Sequence, residues 1–168
     1  MFKKKSLLAM TTLGFLGVIS ASTAKAEDPQ CYTVASLKGT YAVVATYGAN
    51  VAMALALRNF DGQGSLTGTF TLNEPTPGSS IGARTIVTGT QKGTYTVNCD
   101  GTGVITRVVT ASNGVTATQL DDFLITRATA KDGQFLATAL ADATRVPSAI
   151  VPGGIFVTRG YTRLPDEG

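Results

Sequence analysis

The chain has 168 residues, with 14 Lys and Arg against 11 Asp and Glu, and it contains no His. The absence of His excludes Ser-His-Asp and Cys-His catalysis, proton transfer by imidazole, and most zinc or copper sites. We therefore expect neither a metal ion nor another cofactor.

The first 26 residues have the composition of a secretory signal peptide. Three Lys at positions 3–5 precede an uncharged apolar run over 7–21, and Ala24 and Ala26 are the small residues that a signal peptidase requires. The apolar run is too short for a membrane span. We expect cleavage after Ala26, a mature protein that begins at Glu27, and a periplasmic or secreted location.

Removal of this leader changes the charge balance. The leader contains four Lys and no acidic residue, so 14 − 4 = 10 basic residues remain against 11 acidic ones, a net charge of −1. No basic stripe is left that would attract a nucleic acid or an anionic membrane. Nucleic-acid binding is therefore not expected.

The chain has two cysteines, Cys31 and Cys99. An even number of cysteines in an exported chain normally pairs, so we predict one disulfide. Cys31 as a lipid-anchored N-terminus is the alternative, but the residues before it, 27–30, are not the small apolar set expected there.

The rest of the chain is typical of short β-strands separated by turns, because β-branched and aromatic residues recur with a period of two. The segment 51–57 is rich in Ala, which favours a helix, yet its larger apolar residues also alternate. We assign it to a strand, and we expect Met53, Leu55, Leu57, Leu66, Phe70 and Leu72 to face the interior. The eight predicted strands are 38–47, 51–60, 64–73, 83–97, 102–111, 115–127, 134–141 and 154–164.

Asx-Gly pairs follow the second, fourth, fifth and sixth predicted strands, and type I′ hairpin turns favour such pairs because both central residues need a positive φ. Tight hairpins join antiparallel neighbours. The sequence therefore predicts an all-β fold, an antiparallel up-and-down barrel of about eight strands over 37–164, with a two-sheet sandwich as the alternative. Residues 27–36 would be an N-terminal segment held by the disulfide, and 165–168 a tail.

A meander also assigns each connection to one end of the barrel. The three Asp-Gly hairpins lie at one end, where the chain enters the first strand and Cys99 lies close to Cys31. The other end carries both long connections, 73–82 and 142–153. Since binding sites concentrate on long loops, we expect any ligand to enter there.

Three segments, 36–41, 60–69 and 93–103, resemble exported bacterial proteins of the allene oxide cyclase barrel-like group. The resemblance extends over about 36–164, and its motifs are turns and strand starts. It implies the eight-stranded antiparallel barrel with an apolar cavity that this group shares with dirigent proteins. Plant allene oxide cyclases steer a reactive fatty-acid epoxide with a buried acid and bound water, but none of their catalytic motifs aligns with this chain.

Few residues are candidates for ligand contacts. Asn73, Glu74 and Arg145 lie on the two long connections, where they would orient a polar head group, and Tyr47 would line the cavity. The plain alternative is an Asn-x-Pro turn with a solvated Glu74. One side chain of the Asp121-Asp122 pair must point inward, either as a buried acid or, more commonly, paired with Arg107 or Arg127.

Three functions remain open. The first is a binding barrel for a small, mostly apolar molecule. The second is a cyclase- or isomerase-like enzyme with Glu74 or Asp121 as its acid. The third is a structural or surface barrel filled by its own side chains. We expect binding rather than catalysis.

Overall fold

The computed structural model describes residues 31–47, 52–76, 78, 82–148, 150 and 154–166. The predicted signal peptide, 1–26, lies outside these residues. A short 3-10 helix, Val34–Ser36, precedes eight strands. The strands are β1 (Lys38–Thr46), β2 (Met53–Asp61), β3 (Ser65–Pro75), β4 (Arg84–Val97), β5 (Thr102–Ala111), β6 (Thr116–Lys131), β7 (Gln134–Thr144) and β8 (Thr158–Arg163).

The strands form a closed antiparallel barrel in chain order. Closure is made by β1 and β8, which pair from Tyr41 opposite Arg163 to Thr46 opposite Thr158. The predicted up-and-down barrel is thereby confirmed, and the sandwich is not formed. β6 extends further than predicted because its ladder with β7 continues to Lys131 opposite Gln134, directly at the hairpin turn, and β7 continues to Thr144, opposite Asp121.

The turn chemistry agrees only in part with the prediction. Asp132 and Gly133 both have positive φ, 51° and 75°, as a type I′ turn requires. At the other three Asx-Gly pairs only the Gly has positive φ, so the type I′ assignment is wrong there. Their side chains act as acceptors for the turn instead. Asp61 Oδ1, for example, accepts hydrogen bonds from the N–H groups of Gln63 at 2.7 Å and Ser65 at 2.9 Å.

The predicted facing of β2 is wrong. Met53, Leu55 and Leu57 point outward and are 58%, 63% and 49% exposed, whereas Arg58 and Phe60 are buried inside. A period of two defines two faces but not which one is buried. The interior instead receives the small side chains of the intervening alanines, which leave room for larger groups from other strands. The prediction holds for Leu66 and Leu72, which are buried.

One end of the barrel, which carries the three Asp-Gly hairpins and is called here the closed end, contains a dense apolar cluster. Phe60 packs edge-on against Tyr41 and Tyr95, with ring centroids 5.4 and 5.1 Å apart. The Tyr95 hydroxyl donates to the Leu37 carbonyl at 2.8 Å, which fixes the start of β1. This half of the barrel is filled by its own side chains.

The predicted disulfide between Cys31 and Cys99 is present, with Cα atoms 4.5 Å apart. It joins the N-terminal segment to the β4–β5 turn at the closed end, as the meander predicts. The Tyr32 N–H donates to the Cys99 carbonyl at 3.1 Å and continues this attachment. Among the described residues, no helix is long and apolar enough to cross a membrane.

The buried tyrosines are expected to make the fold sensitive to alkali. Burial raises the pKa of Tyr95 to about 12 and also raises the pKa of Tyr41 and Tyr161. A phenol whose pKa is raised in the folded state favours the fold in its neutral form. Its contribution to stability is fully present below the ordinary value of 10 and is lost as the pH rises through the folded value. Ultraviolet absorbance should therefore show these phenols ionising together with unfolding above pH 10. Their ionisation in a protein that keeps its folded circular dichroism would contradict this.

Candidate functional site

The middle of the barrel contains a layer of charged and polar side chains. The strand register brings them to one level from six strands, and all are at most 7% exposed. We call the five ionic members the charge cluster: Arg58 on β2, Arg107 on β5, Asp121 on β6, Asp142 on β7 and Arg159 on β8. Gln91 on β4 and Tyr161 on β8 complete the layer.

Asp121 is fully buried between two guanidinium groups. Arg107 Nε donates to its Oδ2 at 2.8 Å, and Arg159 Nη1 lies 3.1 Å from its Oδ1. Burial alone would raise the pKa of Asp121, but the attraction of Arg107 and Arg159 outweighs it and holds the pKa below its ordinary value. Asp121 is therefore ionised at neutral pH and unsuited to donate a proton. The predicted pairing is made with Arg107.

Asp142 joins the other side of the cluster. Its Oδ1 accepts a hydrogen bond from Arg159 Nη1 at 2.7 Å, and its Oδ2 accepts one from the Tyr161 hydroxyl. Arg58 Nη1 donates to that same hydroxyl and lies 3.7 Å from Asp142 Oδ2. One phenol therefore bridges a cation and an anion inside the barrel.

Gln91 connects the two arginines that face β4. Its Oε1 accepts from Arg58 Nη2 at 2.9 Å and from Arg107 Nη1 at 3.4 Å. Gly68 leaves the space for these contacts of the Gln91 amide, because a Cβ at position 68 would lie 2.3 Å from the Leu57 carbonyl oxygen and 3.0 Å from Gln91 Nε2. A residue larger than Gly would displace the strand or the amide.

The charge cluster contains three cations and two anions, an excess of one positive charge. Burial lowers the pKa of Arg107 to about 10, and repulsion from Arg159 and Arg58 acts in the same direction. Arg107 remains protonated at neutral pH. Glu74 does not balance the excess: it is six residues along β3 from Gly68, which pairs with Arg58, and six strand residues span roughly 20 Å.

Several buried polar atoms in this layer make no hydrogen bond. They are Arg58 Nε, both amide atoms of Gln119, whose side chain is 1% exposed, and Asp121 Oδ1, which is only ion-paired with Arg159. Gln119 pairs with Arg107 across β5 and β6. Unpaired buried donors are costly, and in folded proteins they usually have a water or ligand partner.

A cavity of about 30 Å³ borders the charge cluster on the side away from the closed end. Arg58, Gln91, Arg107 and Arg159 form its polar wall, and Ser148 and Ile150 line it as well. The apolar region around and beyond it is called here the mouth chamber. Its walls include Ala45, Ala54, Val109 and Ala111, and it is filled in part by Ile150 and Val157.

The four residues predicted to contact a ligand separate into two pairs. Tyr47 and Glu74 are buried, 6% and 4% exposed, at the mouth end. Burial raises the pKa of both side chains, and Glu74 Oε2 makes no hydrogen bond. Asn73 instead lies on the outer face, where its Oδ1 accepts from Arg84 Nε at 2.7 Å.

Arg145 is also on the outside. Its Nε donates to Asp122 Oδ2 at 2.7 Å, and both side chains are about half exposed. The structure therefore places Tyr47 in the wall of the cavity and buries Glu74 at the mouth end, whereas Asn73 and Arg145 lie on the outer surface.

Sequence reasoning missed the members of the layer that matter most: Arg58, Gln91, Gln119, Asp142 and Arg159. The available signal was a polar residue in phase with a buried aromatic, as in Arg58 with Phe60 and Arg159 with Tyr161. In a strand with one buried face, that phase places the polar side chain inside.

Further concavities lie at the barrel surface among the described residues. One, of about 650 Å³, is lined on β1–β4 by residues that include the exposed Val44, Leu55 and Leu57. Another, of about 510 Å³, lies at the closed end beside Lys131 and Arg163. Within the described part of the chain, no group of three or more Cys, Asp or Glu is placed to hold a metal ion.

No family model, no curated protein and no solved structure matches this chain.

Proposed function

We propose that this chain is an exported barrel that binds a small, mostly apolar molecule in the mouth chamber. The observation that carries the proposal is the charge cluster. Buried ion pairs are commonly neutral or unfavourable for stability compared with apolar packing. The closed end is packed mainly with apolar and aromatic side chains. Three buried arginines are therefore not needed to form the core of such a barrel.

Export rests on two supports. The leader has the composition of a signal peptide, and the disulfide is a bond typical of oxidising compartments outside the cytoplasm. The resemblance to the allene oxide cyclase barrel-like group, proposed from the sequence motifs, agrees with a closed eight-stranded barrel.

The present cavity is too small for a ligand of ordinary size, since such sites occupy roughly 300–1,000 Å³. The ligand would take the volume now filled by Ile150 and Val157, which pack against small alanine side chains. Apolar chambers lined in this way bind apolar guests when a filling side chain is removed.

Replacing Ile150 by Ala is expected to increase the affinity of the mature protein for 1-octanol, because it enlarges the mouth chamber. The substitution should also cost about 2 kcal/mol or more of folding free energy. The matched control is Val146→Ala in the same connection, since Val146 is 41% exposed. Isothermal titration calorimetry should show tighter binding only for Ile150→Ala. If neither the parent protein nor Ile150→Ala binds octanol, the barrel is solid and the proposal is wrong.

An enzyme that shapes a reactive apolar substrate is the second candidate. Glu74 favours it, because this carboxyl group is buried at the mouth, makes no hydrogen bond through Oε2 and has a raised pKa. Glu74→Gln would then abolish turnover of a fatty-acid epoxide while leaving octanol affinity unchanged. Equal turnover by the parent protein and this variant would exclude Glu74 as the acid.

A further inference from the structure

We propose that the polar group of the ligand is an anion, specifically a carboxylate, which docks on the arginine face of the charge cluster at the base of the mouth chamber. The inference rests on the proposed function and adds the chemical class of the ligand: a small carboxylic acid with an apolar tail.

The first argument is charge. Arg58, Arg107 and Arg159 face only two carboxylates, and each member of the cluster is at most 7% exposed. A buried excess charge is costly unless it is paired. The described interior supplies no third acid at this level: Glu74 is buried at the mouth end, six residues along β3 from Gly68, which pairs with Arg58. A bound carboxylate would make the layer neutral.

The second argument is hydrogen bonding. Arg58, on the wall of the cavity, has a buried donor without a partner, Nε, and Arg58 and Arg107 share a single acceptor, Gln91 Oε1. A carboxylate offers only acceptor oxygens and forms charge-assisted hydrogen bonds with guanidinium groups, so it suits this arginine wall. A hydroxyl head group would satisfy one donor and leave the excess charge in place.

The third argument is position. The cavity beside Arg58, Arg107 and Arg159 is about 30 Å³. It has room for on the order of two water-sized groups, which corresponds to the two oxygens of a carboxylate. Ala45, Ala54 and Val109 line the cavity and belong to the apolar wall of the mouth chamber. An apolar tail attached to the carboxylate would therefore extend along them toward the mouth.

The test compares octanoate with 1-octanol, which share one tail length and differ in the head group. By calorimetry near neutral pH, we expect the protein to bind octanoate at least about tenfold more tightly, the range of a charge-assisted hydrogen bond. Gln91→Glu places a carboxylate where Arg58 and Arg107 already donate. It should remove that preference by lowering the affinity for octanoate at least about tenfold. The matched control is Thr90→Glu, which adds the same charge to the outer face of β4.

The outcomes distinguish this inference from the proposed function. Octanol and octanoate binding equally well would overturn the carboxylate and leave the binding barrel in place. Retention of the preference in Gln91→Glu, or its loss in Thr90→Glu, would place the carboxylate elsewhere and overturn the site. Binding of neither probe would overturn both proposals. Circular dichroism checks that Gln91→Glu is folded. If this variant is unfolded, the comparison of octanoate and octanol binding to the parent protein decides whether the ligand is a carboxylate.

Discussion

Asp121→Asn is expected to lower the free energy of unfolding by about 3–5 kcal/mol, because it breaks a buried ion pair and leaves one partner charged. Asp121 is fully buried and pairs with both Arg107 and Arg159, so the variant would hold three buried arginines against Asp142 alone. Asn has nearly the same shape, so loss of charge rather than a cavity is measured. Urea denaturation at neutral pH gives the difference.

The neighbouring residue supplies the control. Asp122 is 51% exposed at its side chain and pairs with Arg145 on the outer surface. Exposed pairs contribute about 0–1 kcal/mol, so Asp122→Asn should have a small effect. Equal destabilisation by the two variants would show that the buried Asp121 contributes no more to stability than the exposed Asp122, which would contradict the role given to the charge cluster.

The same carboxylate predicts a pH dependence. Its folded-state pKa is held below the ordinary value, so its contribution to stability is present above that value and is lost as the pH falls through the folded pKa. Stability of the parent protein should therefore fall below about pH 4. Asp121→Asn should show a shallower acid dependence over the same range.

Removing the disulfide is the second large effect. Replacing Cys31 and Cys99 by Ser should destabilise the mature chain by up to about 4 kcal/mol, since the bond closes a loop with a sequence separation of 68 residues. Urea denaturation of the double variant measures this loss. The parent protein reduced with dithiothreitol should give the same value. A loss below about 1 kcal/mol would show that the N-terminal segment is held by its other contacts.

The barrel could be predicted from the sequence because the features that specify it lie close together along the chain. Alternation within each strand and Asx-Gly pairs between strands fix neighbours and order, and closure follows from the need to remove exposed edges. The face of β2 is predicted wrongly, because Met53 and Leu55 alternate as regularly as Ala54 and Ala56 and are the larger apolar side chains. Phe60, in phase with the alanines, is the residue that indicates the enclosed face.

The charge cluster could not be predicted for a different reason. Arg58 and Tyr161 meet across a separation of 103 residues, and this contact depends on closure between β1 and β8. Glu74 is predicted from its place on a long connection and Tyr47 as a cavity-lining aromatic, and the structure buries both. Asn73, one residue from Glu74, points outward by the same alternation.

The most direct test of a ligand inside the barrel is a methyl-detected nuclear magnetic resonance titration with octanoate. Ala45, Ala54 and Val109 line the interior cavity, whereas Val44, Leu55 and Leu57 are exposed beside the outer groove. We expect the interior methyl signals to shift saturably and the exposed ones to remain in place. Saturable shifts confined to Val44, Leu55 and Leu57 would place the ligand on the outer surface and contradict a binding chamber within the barrel.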